Sequence, residues 1–226
     1  MGANAQTTVP KYSALTVLPA ASMNISAGTG IPVFASTVTR DAAFGGANKV
    51  LAEGQTCYLE STNVVQYYDG AAWLGMGGKI GQVVSTILDT TFSTSSTSMT
   101  DVTGLSVVIT PTAATSKVLV LCQLNTAGQA GVTAFFGNLV RGSTVVDVGA
   151  TAGSRSSVTF YNDPSELNSL NATFLDSPAT TAATTYKIQI RTQGSGTVFI
   201  NRSNADGNTI FSARTASTIT VMEILA

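Results

Sequence analysis

Short runs of alternating apolar and polar residues recur along the C-terminal two thirds of the chain. In the segment 186–191, which reads YKIQIR, Tyr and Ile alternate strictly with Lys, Gln and Arg. Successive side chains of a β-strand point to opposite faces, so this pattern predicts a half-buried strand of an antiparallel sheet. Further candidate strands are 82–86, 105–109, 117–122, 134–140, 157–160, 197–200 and 218–224. No helical periodicity separates them, and residues 79–226 are expected to form an all-β, antiparallel, jelly-roll-like sandwich.

A smaller unit precedes this domain. Residues 31–74 contain short strand-like runs at 32–34, 55–59 and 64–68, and the pair Asp69-Gly70 before Trp73 is a hairpin signal. We therefore expect a small β-hairpin module, whose core is too small for independent stability. Glycines between Gly75 and Gly78 predict a flexible joint to the following domain.

Residues 1–30 are rich in Ala, Thr, Ser, Gly and Asn, with only small apolar clusters. Such a segment buries too little apolar surface to fold by itself. It is expected to be an extended docking arm that is held by another protein chain.

Charge excludes several classes of partner. Only 10% of the 226 residues are charged, and the net charge is −1. A chain without a cationic field is not expected to bind nucleic acid or an anionic lipid surface. No apolar run approaches the ~20 residues of a membrane helix, and the first residues lack the pattern of a secretory signal. We expect no membrane insertion, and assembly in the cytoplasm.

Catalysis and metal binding are not expected. The chain contains no histidine, which removes Ser-His-Asp and Cys-His nucleophilic sites and nearly all catalytic zinc sites. Cys57 and Cys122 are far apart and lie in apolar contexts, so each is interpreted as a small buried hydrophobic residue. The prediction is a protein that is not an enzyme, with no cofactor and no metal.

Several segments of residues 79–226 resemble the C-terminal domain of many phage tail-fibre and virion proteins, especially those of cyanophages and marine phages. The segments that carry this resemblance are 82–86, 92–97, 101–107, 109–111, 116–120, 141–143, 175–178, 201–203 and 219–223. The terminal strand around Met222 also resembles, more weakly, the trimeric jelly rolls of tumour necrosis factor and of complement globular heads. Residues 40–73 are similar to small modules of phage tail proteins.

The resemblance implies a structural protein of a tailed bacteriophage virion, usually trimeric. The chain lacks a long fibre shaft, so we expect a short tail fibre or fibre tip involved in host adsorption. Two alternatives stay open: a capsid decoration or head-fibre protein, and a carbohydrate-binding lectin module. The expected partners are further copies of the chain in a homotrimer, other virion proteins through residues 1–30, and a host surface glycan or protein.

One group of residues suggests a sugar-binding platform. Tyr67, Tyr68 and Trp73 offer aromatic faces that stack on pyranose rings, and the carboxylate of Asp69 accepts hydrogen bonds from sugar hydroxyls. The competing interpretation is a hairpin whose aromatic residues close a small core.

Two polar loops are the receptor-contact candidates. Asn162, Asp163 and Glu166 fall in one polar stretch, and Asn204 and Asp206 fall in another. Loops on a rigid β-scaffold often carry recognition. The competing interpretation is a solvated loop for the first stretch and a plain hairpin turn for the second.

Overall fold

The computed structural model describes residues 31–44, 51–129, 132, 134–163 and 166–225. They divide into two compact units, separated between Gly78 and Lys79. The predicted arm, residues 1–30, lies outside the described residues.

The N-terminal unit is a small sheet with one helix. The sheet has the order β1-β2-β3-β4; β1 is parallel to β2, and the other pairs are antiparallel. Its elements are β1 (Val33–Phe34), α1 (Thr37–Phe44), β2 (Thr56–Leu59), β3 (Val64–Tyr68) and β4 (Trp73–Gly75). Its buried core consists of Phe34, Ala43, Phe44, Cys57 and Leu59.

Helix α1 was not predicted. Ser36 caps its first turn: the Thr39 amide donates to Ser36 Oγ (3.3 Å), and the Ser36 amide donates to Thr39 Oγ1 (3.0 Å). This reciprocal pair is a capping box with threonine in place of the usual Glu or Gln. The helix spans only 8 residues and contains three β-branched residues, Thr37, Val38 and Thr39, so its periodicity is too short to detect in the sequence.

The C-terminal unit, residues 79–225, consists of strands and connections. The strands are β5 (Ile80–Leu88), β6 (Phe92–Thr94), β7 (Thr100–Ile109), β8 (Lys117–Gly128), β9 (Phe135–Arg141), β10 (Thr144–Val146), β11 (Phe160–Asn162), β12 (Asn168–Asp176), β13 (Thr184–Thr192), β14 (Val198–Ile200) and β15 (Ser217–Ile224).

Strand β8 is central to the first sheet. Thr126 of β8 pairs with Asn168 of β12 on one edge and with Ile200 of β14 on the other. Strand β15 pairs with the same edge of β8 as β14 does, at a position farther along β8. Strand β5 pairs with β15, and β6 pairs with β14. The sheet therefore has four strand positions: β5 with β6, β15 with β14, β8, and β12.

The second sheet is built around β9 and β13, which pair along the whole of β9. Strand β7 pairs with the free edge of β13, while β10 and β11 both occupy the other edge of β9. Strands that share a position are counted once, and the eight positions are numbered in chain order, from β5 with β6 as position 1 to β14 with β15 as position 8. The first sheet then has the order 1-8-3-6 and the second has the order 2-7-4-5. This is the strand order of a jelly roll, in which two Greek keys share a two-sheet sandwich. The predicted all-β, jelly-roll fold class is confirmed.

The core lies between the inner faces of the two sheets. Strand β13 buries Tyr186, Ile188 and Ile190, and the side chains between them are partly exposed. Strand β15 buries Ile219 and Val221 in the same alternating way. The alternation in the sequence therefore identified the inward side chains of β13, and the predicted strand 218–224 corresponds to β15.

Strand β12 was missed by the sequence analysis. Its inward residues are Leu170, Ala172 and Phe174, and they alternate with polar residues as in the other strands. Asn and Asp are depleted in strands, and β12 contains Asn168, Asn171 and Asp176, which hides the pattern. The strand 157–160 is also displaced: the structure places β11 at Phe160–Asn162.

Glu223 fixes the β7–β8 connection to the last strand. Its residue surface is fully buried, and its carboxylate accepts hydrogen bonds from the Thr112 amide (2.6 Å), Thr112 Oγ1 (2.7 Å) and Gln82 Nε2 (3.0 Å). Burial by itself raises the pKa of Glu223, but these hydrogen bonds outweigh it and lower the pKa to about 2. The ionised carboxylate is therefore a structural group.

The first prediction concerns stability against pH. Because the folded-state pKa of Glu223 lies below its ordinary value of 4.5, its stabilising contribution is complete above that pH and is lost as the pH falls toward 2. The substitution Glu223→Gln should lower the free energy of unfolding by about 2 kcal/mol at pH 7 and by much less near pH 2. Urea titrations at both pH values measure this difference. Glu166→Gln, which alters an exposed side chain, is the control; an equal loss at both pH values would contradict the assignment.

Candidate functional site

The connection from β14 to β15, residues 201–216, begins at a buried polar node. Asn201 is fully buried and has a left-handed backbone conformation, with φ of 63°. Its Nδ2 donates to the carbonyls of Leu88 (2.7 Å) and Thr90 (3.0 Å), and its Oδ1 accepts from Ser217 Oγ (2.6 Å). Ser217 Oγ in turn accepts from the Asn125 amide at 3.0 Å. Both ends of the loop are therefore attached to the sheet.

Ion pairs hold the loop together above this node. Asp206 contacts Arg202 through Oδ2 (2.9 Å) and Arg214 through Oδ1 (2.6 Å). Arg202 also donates to the carbonyl of Asn204 (3.0 Å), and its guanidinium lies 3.8 Å from the ring centre of Phe199. Phe199 pairs with Ala127 on the outer side of the first sheet, so the loop folds over that face.

The tip of the loop is apolar and exposed. Ile210 is 93% exposed and Phe211 is 87% exposed, the highest fractions among the exposed large hydrophobic residues of the described chain. The amide of Ser212 donates to the carbonyl of Thr209, which closes a turn around these two residues. Two adjacent apolar side chains are thus presented to solvent by a hydrogen-bonded loop; we call them the apolar tip.

Farther along the same face, four apolar side chains form a line across the sheet. Met222 of β15 pairs with Val83 of β5 on one side and with Leu119 of β8 on the other, and Leu119 pairs with Leu175 of β12. Paired residues of adjacent strands lie on the same face. Val83 is 55% exposed and Leu175 is 48% exposed. We call these four residues the apolar row.

Between the apolar row and the loop, the outer face is polar but uncharged. Ser85, Thr220, Leu121 and Thr173 form the adjacent line across the four strands. A shallow groove of about 470 Å³ lies there, lined by Leu121, Cys122, Gln123, Asn171, Ala172, Thr173, Thr218 and Thr220. None of the residues of these lines or of the groove carries a charge, so the surface suits packing against protein better than binding an ion.

The predicted receptor-contact residues lie on two different connections. Asn162 ends β11, is partly buried and approaches Thr126 Oγ1 at 3.5 Å, while Asp163 and Glu166 are exposed beyond it. Asn204 and Asp206 belong to the β14–β15 loop, where Asp206 bridges two arginines. A role in receptor contact stays a prediction for all five; the structure adds that Asp206 has a bridging role within its loop.

The predicted aromatic platform is divided by the sheet of the N-terminal unit. Trp73 pairs with Tyr68, and their ring centres are 5.7 Å apart. Tyr67, the preceding residue of the strand, points to the opposite face. Asp69 accepts hydrogen bonds from the amides of Ala71 and Ala72, which hold its pKa below its ordinary value. The structure thus brings together Tyr68 and Trp73 but not Tyr67, and uses Asp69 in the hairpin turn; sugar binding stays a prediction.

Trp73 also contributes to the small core. Its ring centre lies 5.0 Å from that of Phe44, and the Arg40 guanidinium lies 5.0 Å from its ring centre. Arg40 donates to Gln66 Oε1 at 2.6 Å as well. The helix that the sequence analysis missed therefore covers part of the proposed platform.

The two cysteines of the chain are buried thiols. Cys57 and Cys122 are free and buried, and burial raises the pKa of both thiols, that of Cys122 to about 12. In the part of the chain that the structure describes, no group of three or more His, Cys, Asp or Glu side chains could hold a metal ion. Within the same residues, no helix has the length and apolar content to cross a bilayer.

Sequence reasoning missed both the apolar tip and the apolar row. The signal for the tip is present: Ile210 and Phe211 form an isolated apolar pair directly after a stretch of turn-forming residues, 203–209. The row had no signal, because its residues come from four strands whose pairing the sequence does not state.

Comparison with known proteins finds no family model and no curated protein that match the chain. Among solved structures, the chain is similar to the VP2 subviral particle of infectious bursal disease virus, at 17% identity and a TM-score of 0.30 over 70% of this chain and 41% of that one. A mutant VP2 protein of the same virus, in derived particles, matches at 15% identity and a TM-score of 0.30 over 84% of this chain and 51% of that one.

The chain thus spans about two fifths to one half of the VP2 chains that it matches. TM-scores this low do not establish a shared fold or a shared role. The jelly-roll assignment therefore rests on the strand order of the C-terminal unit.

The second prediction tests the rigidity of the β14–β15 loop. Because Asp206 bridges Arg202 and Arg214, Asp206→Ala should loosen the loop without unfolding the sandwich. Two partly exposed ion pairs together contribute roughly 1 kcal/mol, which corresponds to amide exchange about fivefold faster in the loop. Hydrogen exchange of the Ser203 and Ala213 amides, which are hydrogen-bonded across the loop, measures this effect. Asp163→Ala is the control; unchanged exchange in Asp206→Ala would contradict the bridging role.

Proposed function

We propose that the chain is a non-enzymatic structural component of a tailed bacteriophage virion, acting as a short tail fibre or fibre tip in host adsorption. The observation that carries the proposal is the jelly-roll sandwich whose outer sheet face has few charged side chains. Jelly rolls are common building blocks of virus particles and of lectins. The centres of protein interfaces are depleted of charged residues, and this face has that composition.

The sequence resemblance of residues 79–226 selects the phage virion among the proteins that use this fold. It also supports a homotrimer as the assembled form. Residues 1–30 are the proposed attachment to other virion proteins, so that the jelly roll projects away from the particle. Capsid decoration and lectin activity are the alternatives that share this fold, and the experiments below separate them from a tail fibre.

The third prediction concerns location and attachment. Gold-labelled antibody against residues 79–226 should mark the tail of intact particles in electron micrographs. Deleting residues 1–30 should leave a folded protein that no longer joins the particle, because the proposed attachment is lost while both compact units remain. Label on the head would favour capsid decoration. Particles that carry the truncated protein at normal copy number would refute the role of the arm.

The fourth prediction concerns host contact. Asp163 and Glu166 are exposed on the β11–β12 connection, so Asp163→Ala with Glu166→Ala should slow adsorption without a change in melting temperature. Asp206 is left intact because it stabilises its own loop. Asp89→Ala, an exposed acidic change on another connection, is the matched control. Unchanged adsorption by particles with normal copy number would remove this connection from receptor contact, and binding of the isolated protein on a glycan array would favour the lectin alternative.

A further inference from the structure

The apolar tip and the apolar row are two exposed hydrophobic features on the outer side of one sheet. Contiguous exposed apolar groups on a soluble domain usually mark an interaction surface. The tip belongs to a loop whose ends are attached to the sheet through Asn201 and Ser217 and whose interior is bridged by Asp206. Docking of such a loop loses little conformational entropy, because the loop is already ordered.

The loop that carries the tip is attached to the sheet away from the row. The loop is attached to β8 at Asn125, whose side chain donates to the carbonyl of Ala216 at 2.6 Å. Leu119, at the centre of the row, lies six residues away along the same strand, a distance of roughly 20 Å. Both features are exposed in the single chain, so neither covers the other.

We propose that the apolar tip of one copy docks onto the apolar row of a second copy of this chain. The inference rests on the self-assembly that is part of the proposed function, and names the two surfaces that form the contact. The tip offers one aromatic and one branched aliphatic side chain, and the row offers four aliphatic or thioether side chains without a charge. Both are apolar, so removing them from water together is favourable. Lys117, two residues from Leu119 on the same face, is exposed at the border of the row, where its ammonium group can stay in water.

A copy of this chain fits the tip better than a lipid surface does. Amphipathic membrane contacts combine apolar side chains with basic ones that attract anionic lipid. The arginines of this loop, Arg202 and Arg214, are both paired with Asp206. The loop therefore has apolar side chains without a free basic partner among its described residues.

The size of the contact indicates how it assembles. Four strands span roughly 15 Å, so the row and the side chains around it bury on the order of 400 Å² on each partner. One such contact is smaller than a standard stable interface. Because tip and row are different patches, each copy can use both at once. Such a head-to-tail contact forms a ring where the rotation between copies closes and a filament where it does not. A closed trimer gives every subunit two contacts.

The experiment has a tip variant, a row variant and a matched control, each made in the full chain. The tip variant is Ile210→Ser with Phe211→Ser, and the row variant is Val83→Ser with Leu175→Ser. The control is Val108→Ser, which removes an exposed apolar side chain (51% exposed) from β7 in the other sheet. All of the changed side chains are largely exposed, so each variant should melt within a few degrees of wild type.

Sedimentation equilibrium should show weaker self-association for the tip variant and the row variant, and no change for the control. Two apolar side chains removed from a buried contact correspond to a loss of about a hundredfold or more in the association constant. Unchanged association of the tip variant would overturn the inference.

Cross-linking tests the contact directly. A chain carrying Phe211→Cys and Leu119→Cys should be joined between copies by a short bis-maleimide reagent, whereas either single variant should not. The native thiols do not interfere, because Cys57 and Cys122 are buried. A trimer that forms without this cross-link would overturn the tip-to-row contact and leave the proposed trimer standing. A wild-type protein that is monomeric at tens of micromolar would overturn both the tip-to-row contact and the proposed trimer. Binding of the wild type to phosphatidylcholine vesicles that depends on the tip would overturn the inference in favour of a lipid partner.

Discussion

The hydrophobic contact between the inner faces of the two sheets determines where every other group of the C-terminal unit can lie. Most strands of the sandwich bury one row of side chains, with Leu124, Leu139 and Ile188 among the buried residues, and β9 buries side chains on both faces. Because one face of a strand packs against the core, the remaining side chains, polar and apolar alike, lie on the outer faces of the sheets. Because the chain has so few charges, the outer face of the first sheet carries few charged side chains, Lys117 of β8 among them.

Hydrogen-bonded polar side chains fix particular points of the sandwich. Asp176, at the end of β12, accepts hydrogen bonds from Arg141 at 2.7 Å and from Tyr186 at 2.6 Å, and both donors belong to the other sheet. Burial, together with this contact to Asp176, raises the pKa of Tyr186 far above its ordinary value. Asn201 and Glu223 play corresponding roles elsewhere, each connecting a loop to a strand. These residues give the fold fixed points that hydrophobic contact, which has no direction, does not provide.

The features that bear on function are additions to this scaffold. The β14–β15 loop connects two strands that share one position in the first sheet, and it folds over the outer face of that sheet. Its ion pairs and the stacking of Arg202 on Phe199 order it there. Its apolar tip has no partner within the described chain, and neither does the apolar row.

The sequence by itself determined the fold class, because in–out alternation follows from the period of a strand and is visible in segments such as 186–191. It also identified the hairpin turn at Asp69. It did not reveal α1, which is too short to show a period, or β12, whose asparagines disguise its alternation. The apolar row and the inter-sheet contacts of Asp176 were decided by tertiary structure alone, because they join residues from strands far apart in the chain, and the register that aligns them depends on how the two sheets pack.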